Sequence, residues 1–285
     1  MAKGIEMIIH ELDKNFGCFI DKNDSSDSFT TEWVKKIENV LEKYKFVVLR
    51  GLCLDPEKLE KLGSMFGQFA DNPYLESLKD YNHVVEVRRS ANETAPVFGS
   101  DWHSDWSFQT EPPVYTFLYA KNIPPVGGQT SFADCVAAYE RLDPDEKFLL
   151  TKFKGKHSAE KAYGLKGLFA KDDETRSMRI TVSADAASHV FHPAVRTIPE
   201  SQEKSLFINP VYTVDLLDEE NRSHSSKLDQ LIRNITAPRY QFKLNWDDGF
   251  LVIWDNRRVI HRAEGGYDGY DRLLLRVTIG NERPR

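Results

Sequence analysis

The segment Gly99-Ser100-Asp101-Trp102-His103-Ser104-Asp105-Trp106 places an imidazole, His103, and a carboxylate, Asp105, two positions apart. In an extended chain successive side chains point to opposite faces. Residues i and i+2 therefore leave one face about 7 Å apart at Cα, and their tips can converge on one ion. A metal needs a further ligand, and Asp255-Asn256-Arg257-Arg258-Val259-Ile260-His261 offers His261 near the end of the sequence. Two histidines and one carboxylate on one face leave the remaining positions of the ion open, the donor set of non-haem iron(II) oxygenases. The His-x-Asp pair alone is weakly specific in a chain with eight histidines, because a surface histidine near a turn aspartate looks the same. His189 and His192 compete as a pair, but Pro193 spoils the helix on which an i, i+3 pair converges, so both are read as loop residues. His10, His83, His157 and His224 lack ligand-like neighbours and are read as surface or packing residues.

A second pattern concerns anions. In Asp271-Arg272-Leu273-Leu274-Leu275-Arg276-Val277-Thr278-Ile279 a strand puts Arg272, Leu274, Arg276 and Thr278 on one face and only apolar residues on the other. If the mixed face lines the interior, its two guanidinium groups must be matched by anions, and arginine grips a carboxylate with two parallel hydrogen bonds. The alternative is an edge strand with solvent-facing arginines. Iron(II) uses oxygen productively only when something supplies two further electrons. A 2-oxo acid supplies them by oxidative decarboxylation while its keto and carboxylate oxygens chelate the metal, and its far carboxylate then falls to Arg276. Iron(II), 2-oxoglutarate and O2 are thus the expected cofactor and co-substrates, with an acidic small molecule as the substrate to be oxidised.

These residues need a scaffold. Helical spacing from Thr31 to Tyr44, with Thr30 or Thr31 as cap, is followed by the apolar, β-branched run Phe46–Arg50 and a second helix from Pro56 to Phe66. The first 80 or so residues are accordingly read as a helical N-terminal part, ordered helix, strand, helix. From about residue 84 the pattern becomes short strands: 84–88, 115–121, 130–133, 196–198, 205–209, 240–246, 250–254, 259–262 and 273–279. Helices interrupt it at 135–141, 145–153 and 225–235. Many short strands between Gly, Pro and Asn-Asp turns favour a mainly β fold with flanking helices, a double-sheet jelly roll, as one domain over residues 1–285. Residues 160–190 are charged and aperiodic, a long surface excursion read as a lid over the site.

Composition bounds the partners. The chain has 285 residues, 40% hydrophobic and 12% aromatic, enough to bury a sizeable core, and a net charge of −6 that argues against nucleic acid. Cys18, Cys53 and Cys135 are odd in number and far apart, which suggests neither disulfides nor a zinc knuckle and suits a reducing cytoplasm. No apolar run approaches the roughly 20 residues of a membrane span or the pattern of a secretory leader.

Together Val47-Val48-Leu49-Arg50-Gly51, Trp102-His103-Ser104-Asp105, Gly127-Gly128-Gln129-Thr130, Trp254-Asp255-Asn256-Arg257, His261 and Arg276-Val277-Thr278-Ile279 resemble, in order and spacing, the taurine and chlorophenoxyacetate dioxygenases. That family belongs to the iron(II)/2-oxoglutarate-dependent oxygenases. The resemblance implies a double-stranded β-helix, often a homodimer or homotetramer, with His103, Asp105 and His261 as metal ligands. It assigns Arg276 and Thr130 to the far carboxylate of 2-oxoglutarate, Trp254 to the wall of that pocket, and Arg272 to the substrate's anionic group. Tyr74, Trp106 and Tyr212 are the expected aromatic wall for the substrate. Gly99 stands where the taurine enzymes have asparagine, Trp106 where a smaller residue is usual, and Asp71-Asn72-Pro73-Tyr74 departs from their loop, so taurine itself is not the expected substrate. Hydroxylation is the default outcome; desaturation, ring closure, or a redox-inert lyase or isomerase on the same scaffold are the alternatives.

Overall fold

A computed structural model describes residues 7–22, 29–171 and 175–285. In chain order the elements are β1 (Met7–Asp13), β2 (Phe16–Lys22), α1 (Thr31–Tyr44), β3 (Phe46–Arg50), α2 (Pro56–Ser64), β4 (Val85–Arg89), β5 (Pro113–Asn122), β6 (Thr130–Asp134), α3 (Cys135–Glu140), α4 (Pro144–Leu150), β7 (Lys154–Ser158), α5 (Glu160–Tyr163), β8 (His189–Pro193), β9 (Val195–Thr197), β10 (Lys204–Leu206), β11 (Thr213–Leu217), α6 (Ser225–Ile235), β12 (Gln241–Leu244), β13 (Leu251–Asp255), β14 (Val259–Ala263) and β15 (Arg272–Asn281).

Seven strands form the large sheet in the order β1-β2-β3-β13-β5-β15-β4, and β12-β6-β14 form a smaller sheet facing it. The layer between them is apolar: Phe46, Val48, Leu118, Val252, Trp254 and Leu274 from the large sheet meet Phe132, Leu244 and Val259 from the small one. Alternation along β15 sends Leu275, Val277 and Ile279 to the opposite side, under α1 and α2. Helix α1 buries Trp33, Val34, Ile37, Val40, Leu41 and Tyr44 as one stripe there, and its start is fixed by Thr30, whose hydroxyl accepts from the Trp33 amide at 3.1 Å. Helices α3 and α6 cover the outer face of the small sheet. The result is the expected jelly roll, mainly β with helices applied outside.

Sequence periodicity placed β3 to β6, β9, β10 and β12 to β15 within a few residues of their bounds, and helices α1, α2, α3, α4 and α6 likewise. It missed five strands. The N-terminal part is not simply helix, strand, helix, because β1 and β2 form an antiparallel hairpin that joins the large sheet through β3. β1 is an edge strand that is exposed over most of its length, so it lacks the alternation that marks a half-buried strand. Strands β7, β8 and β11 form a separate sheet; Lys154-Gly155-Lys156-His157-Ser158 has few apolar residues to announce it. His189 and His192 lie on β8 rather than in a loop, with Pro193 as the strand's last residue, where proline is tolerated. His157 is fully buried, a packing residue. The excursion at 160–190 is not a bare loop either: Tyr163 of α5 and Ala186 of a short 3-10 turn, Ala184–Ala187, belong to a small core with Tyr74, Trp106 and Tyr212.

Candidate metal centre

β15 lies between β5 and β4, so Arg272 and Arg276 are interior, each 5% exposed, and the edge-strand alternative fails. β14 ends the small sheet on the same side. His261 on β14 exchanges both main-chain hydrogen bonds with His103, from His103 N to His261 O at 3.0 Å and from His261 N to His103 O at 2.8 Å. This single bridge replaces the regular strand expected around His103. It nevertheless sets the two imidazoles 4.3 Å apart at their centroids.

Asp105 completes the group. His103 Nε2 is 3.7 Å and His261 Nε2 3.9 Å from its carboxylate, and the donor atoms of all three residues lie within 4.8 Å of one another. Three contacts orient the carboxylate: Thr116 Oγ1 donates to Oδ2 at 2.6 Å, Asn256 Oδ1 accepts from the Asp105 amide at 3.3 Å, and Arg276 Nη2 sits 2.7 Å from Oδ1, out of line for a hydrogen bond. Asn256 also donates to Thr116 Oγ1 at 2.8 Å and accepts from Trp254 Nε1 at 3.0 Å, tying β5, β13 and the ligand together. Burial works to raise the Asp105 pKa, but Arg276, the two imidazoles and Thr116 outweigh it and bring it down to about 2. Burial lowers His103, and burial with the neighbouring His103 lowers His261 to about 3, so both rings are neutral at pH 7, the form that binds metals.

The set fits a divalent ion. His103 Nδ1 is 2.8 Å from the Asp101 carbonyl, which fixes the tautomer with Nδ1–H and leaves Nε2 a free lone pair facing Asp105. His261 is buried, and among the described residues its Nδ1 has no hydrogen-bond partner. Gly99 sits over the ring of His103 at φ +71°, where a side chain's Cβ would lie 3.3 Å from His103 Cε1. A side chain there would have to hold a left-handed backbone and would close tightly on the His103 ring.

One cavity joins the three ligands to Thr130, Trp254, Arg272 and Arg276. Arg272 is its unusual member. Nη2 donates to the Gly128 carbonyl at 3.1 Å, Nε is buried without a partner, and among the described residues no carboxylate lies within ion-pair distance. Burial lowers its pKa from the usual arginine value. Thr130 faces the same space, and its Oγ1 accepts from Trp246 Nε1 at 2.9 Å, which leaves the hydroxyl proton free to donate. Trp254 walls the cavity with its ring 4.5 Å from that of His261.

A second cavity, of about 200 Å³, shares Phe98, Gly99 and His103 with the first and opens outward between Tyr163, Phe169 and Tyr212. Of the three aromatics expected from the sequence, Tyr212 lines it. Tyr74 and Trp106 stand behind: Tyr74 stacks on Tyr163 at 4.4 Å, and Trp106 lies beneath the Arg276 guanidinium at 4.9 Å. Trp106 holds φ +47°, a conformation that costs a bulky residue about 1–3 kcal/mol and persists because its ring is 1% exposed. Tyr163, Thr116, Asn256 and Trp246 escaped the sequence reading. A lone threonine in the apolar run of β5 was the one available signal, for Thr116.

Comparisons with known proteins agree with this geometry. Residues 19–278 match the family model described as taurine catabolism dioxygenase TauD, TfdA family. The alpha-ketoglutarate-dependent 2,4-dichlorophenoxyacetate dioxygenase of Burkholderia sp. (strain RASC) is 30% identical over 87% of this chain and 86% of its own length. The alpha-ketoglutarate-dependent sulfonate dioxygenase of Saccharomyces cerevisiae is 32% identical over 80% of this chain and 55% of its own. Among solved structures, a taurine dioxygenase from Burkholderia xenovorans superposes with TM-score 0.78 at 21% identity, covering 98% of this chain and 90% of that one. AAD-2 in complex with Mn(II) and N-oxalylglycine does so with TM-score 0.76 at 25% identity, covering 98% and 99%. By its ligand cluster, its jelly roll and this match along nearly its whole length, the chain belongs to the TauD, TfdA dioxygenase family.

Proposed function

We propose that the chain is an iron(II)- and 2-oxoglutarate-dependent dioxygenase that oxidises a small organic anion. The observation that carries this reading is Arg272, a buried cation without an acidic partner among the described residues, facing the same cavity as His103, Asp105 and His261. A charge left in that state calls for an anion from outside. The names of the relatives, which include alpha-ketoglutarate-dependent enzymes and a structure holding Mn(II) and N-oxalylglycine, support the same co-substrate.

His103, Asp105 and His261 would hold the iron, which with 2-oxoglutarate and O2 supplies the oxidation: one oxygen atom goes to the substrate's C–H bond, the other to succinate, and CO2 leaves. The geometry favours exchanging the arginine roles that the resemblance implied. Arg276 touches Asp105 and so stands at the metal, whereas Arg272, four residues along β15, is roughly 13 Å away at Cα by strand rise. The two carboxyl carbons of 2-oxoglutarate are about 5 Å apart by bond lengths, so with one end at the metal the other extends away from it. Arg272 and Thr130 then grip the far carboxylate, and Trp254 walls it. Arg276 meets the negative charge that gathers at the metal end, including that of the substrate. Tyr163 and Phe169 of the 160–190 excursion line the outer cavity, which supports reading that excursion as a lid over the substrate side.

Three free cysteines, two of them buried, and the absence among the described residues of any helix long and apolar enough to cross a membrane are consistent with the cytoplasm, where we place the enzyme. The test is anaerobic addition of iron(II) and 2-oxoglutarate, read by the visible charge-transfer band of a chelated 2-oxo acid. A band in the wild type that disappears in His103→Ala is expected. No band in the wild type, or an unchanged one in the variant, would overturn the proposal.

A further inference from the structure

Asn256 sits in the turn between β13 and β14, and every polar atom it carries is engaged. Its main-chain N–H donates to the Val114 carbonyl at 2.8 Å, and its carbonyl accepts from Ser104 Oγ at 2.8 Å. Its side-chain Oδ1 accepts from Trp254 Nε1 at 3.0 Å and from the Asp105 amide at 3.3 Å, while Nδ2 donates to Thr116 Oγ1 at 2.8 Å. The turn around it is stiff. Asp255 on one side is buried and ion-paired to both Arg257 and Arg258 on the other.

These partners decide which way the amide points. Trp254 Nε1 and the Asp105 main-chain N–H can only donate, so the side-chain atom facing them is the oxygen, and the NH2 group must face Thr116. Thr116 Oγ1 therefore accepts on that side. Its single proton is left for the other side, where Asp105 Oδ2 lies 2.6 Å away, a charge-assisted length. A hydroxyl that accepts one hydrogen bond is polarised to donate the next more strongly, and more so in the buried setting of Thr116. A carboxylate turns easily about its last bond. The Asn256 amide thus reaches Asp105 by two routes, its main-chain N–H and the Thr116 hydroxyl, and the Asn256 carbonyl holds the preceding residue, Ser104, as a third.

Resting on the function proposed above, we infer that Asn256 is a positioning residue for the metal: it fixes the segment that carries Asp105 and directs the Thr116 hydroxyl onto Oδ2, so that the carboxylate meets an ion in one orientation. A ligand ordered beforehand spares binding that ordering cost. Because part of the effect of Asn256 runs through Thr116, the contributions of the two residues overlap.

Titration with Co(II) tests this, since its visible ligand-field absorption reports both Kd and the geometry of the donor set. Asn256→Ala should weaken Co(II) binding about tenfold or more and change the spectrum at saturation. Thr116→Val should weaken it about tenfold, and the double variant should lose clearly less than the product of the two single losses. Thr116→Ser keeps the hydroxyl while easing its rotation, so with Asn256 in place Kd and spectrum should stay as in the wild type. A wild-type Kd or an unchanged spectrum in folded Asn256→Ala would overturn the inference, the latter marking a merely structural role. Losses that multiply in full in the double variant would overturn it as well. Thermal melts of the metal-free proteins establish folding. Should Asn256→Ala not fold, Thr116→Ser decides: wild-type binding supports the hold by Asn256, and a loss as large as that of valine overturns it. Failure of Co(II) to bind the wild type would instead overturn the function on which the inference rests.

Discussion

Replacing Arg272 by methionine should make the protein more stable and remove its co-substrate site at once. The wild-type side chain is 5% exposed, has no ion-pair partner, and retains one hydrogen bond, to Gly128 O, with Tyr267 at 5.7 Å from the guanidinium carbon. Losing that bond and the ring contact costs about 1 kcal/mol each. Relieving an unmatched buried cation returns several kcal/mol, and methionine fills much of the same space. The net expectation is a gain on the order of 1–3 kcal/mol, and each kcal/mol shifts Tm by about 2–4 °C in a chain near this size. N-oxalylglycine at a hundred times its Kd should then stabilise the wild type by about 2.7 kcal/mol and the variant not at all. Thermal melts with and without N-oxalylglycine, in the presence of Mn(II), therefore show the order of the two proteins narrowing or reversing on addition of ligand. A variant less stable than the wild type without ligand would refute the argument that Arg272 is an unmatched charge. An equal ligand shift in both proteins would refute its role at the far carboxylate.

Three further outcomes follow from the same geometry. Thr116→Val takes away the donor to Asp105 Oδ2 and should weaken metal binding about tenfold or more, the usual effect of losing a partner behind a ligand, as measured by Mn(II) titration. Thr130→Val leaves the buried Trp246 indole N–H unpaired and should cost about 1–3 kcal/mol in thermal unfolding, whereas adding Trp246→Phe removes the orphan and should recover part of the loss. His192 packs against His157 in the interior, and burial lowers its pKa to about 4, so it is neutral in the folded protein while an unfolded chain protonates it near 6.5. A depressed folded pKa means that this contribution to stability is complete above about pH 6.5 and is lost as pH falls toward 4, at about 1.4 kcal/mol per pH unit. His192→Gln should flatten that segment of a Tm-against-pH curve.

Most of the β body was legible because its strands are apolar runs bounded by Gly and Pro, and the proposed metal-ligating group was legible because two of its members are neighbours on one short segment. The two-arginine face of β15 was also legible, since alternation alone puts Arg272 and Arg276 together. Which arginine meets Asp105 was not, because that depends on where the Trp102–Asp105 segment meets β15 in space. The residues that hold the ligands are hidden for the same reason. Thr116 reaches Asp105 because β5 pairs with β13 in a register that sets Thr116 opposite Trp254, and no local pattern encodes that pairing. Trp246 meets Thr130 just past the end of β12, where the β12–β6 pairing sets Leu244 opposite Thr130, and Tyr163 enters from a charged segment whose one helical turn is too short to show a period.

The paired main-chain bonds between His103 and His261 would couple metal binding at the proposed site to the integrity of the β body. The two ligands come from distant parts of the sequence, so closing this bridge costs loop entropy that is recovered only when β5, β6, β14 and β15 have already assembled around it. The complete set of three side chains exists only where both segments have come together. An ion held by all three side chains would therefore add its binding energy to the assembled domain as a whole, so Tm should rise with metal concentration in a single cooperative transition.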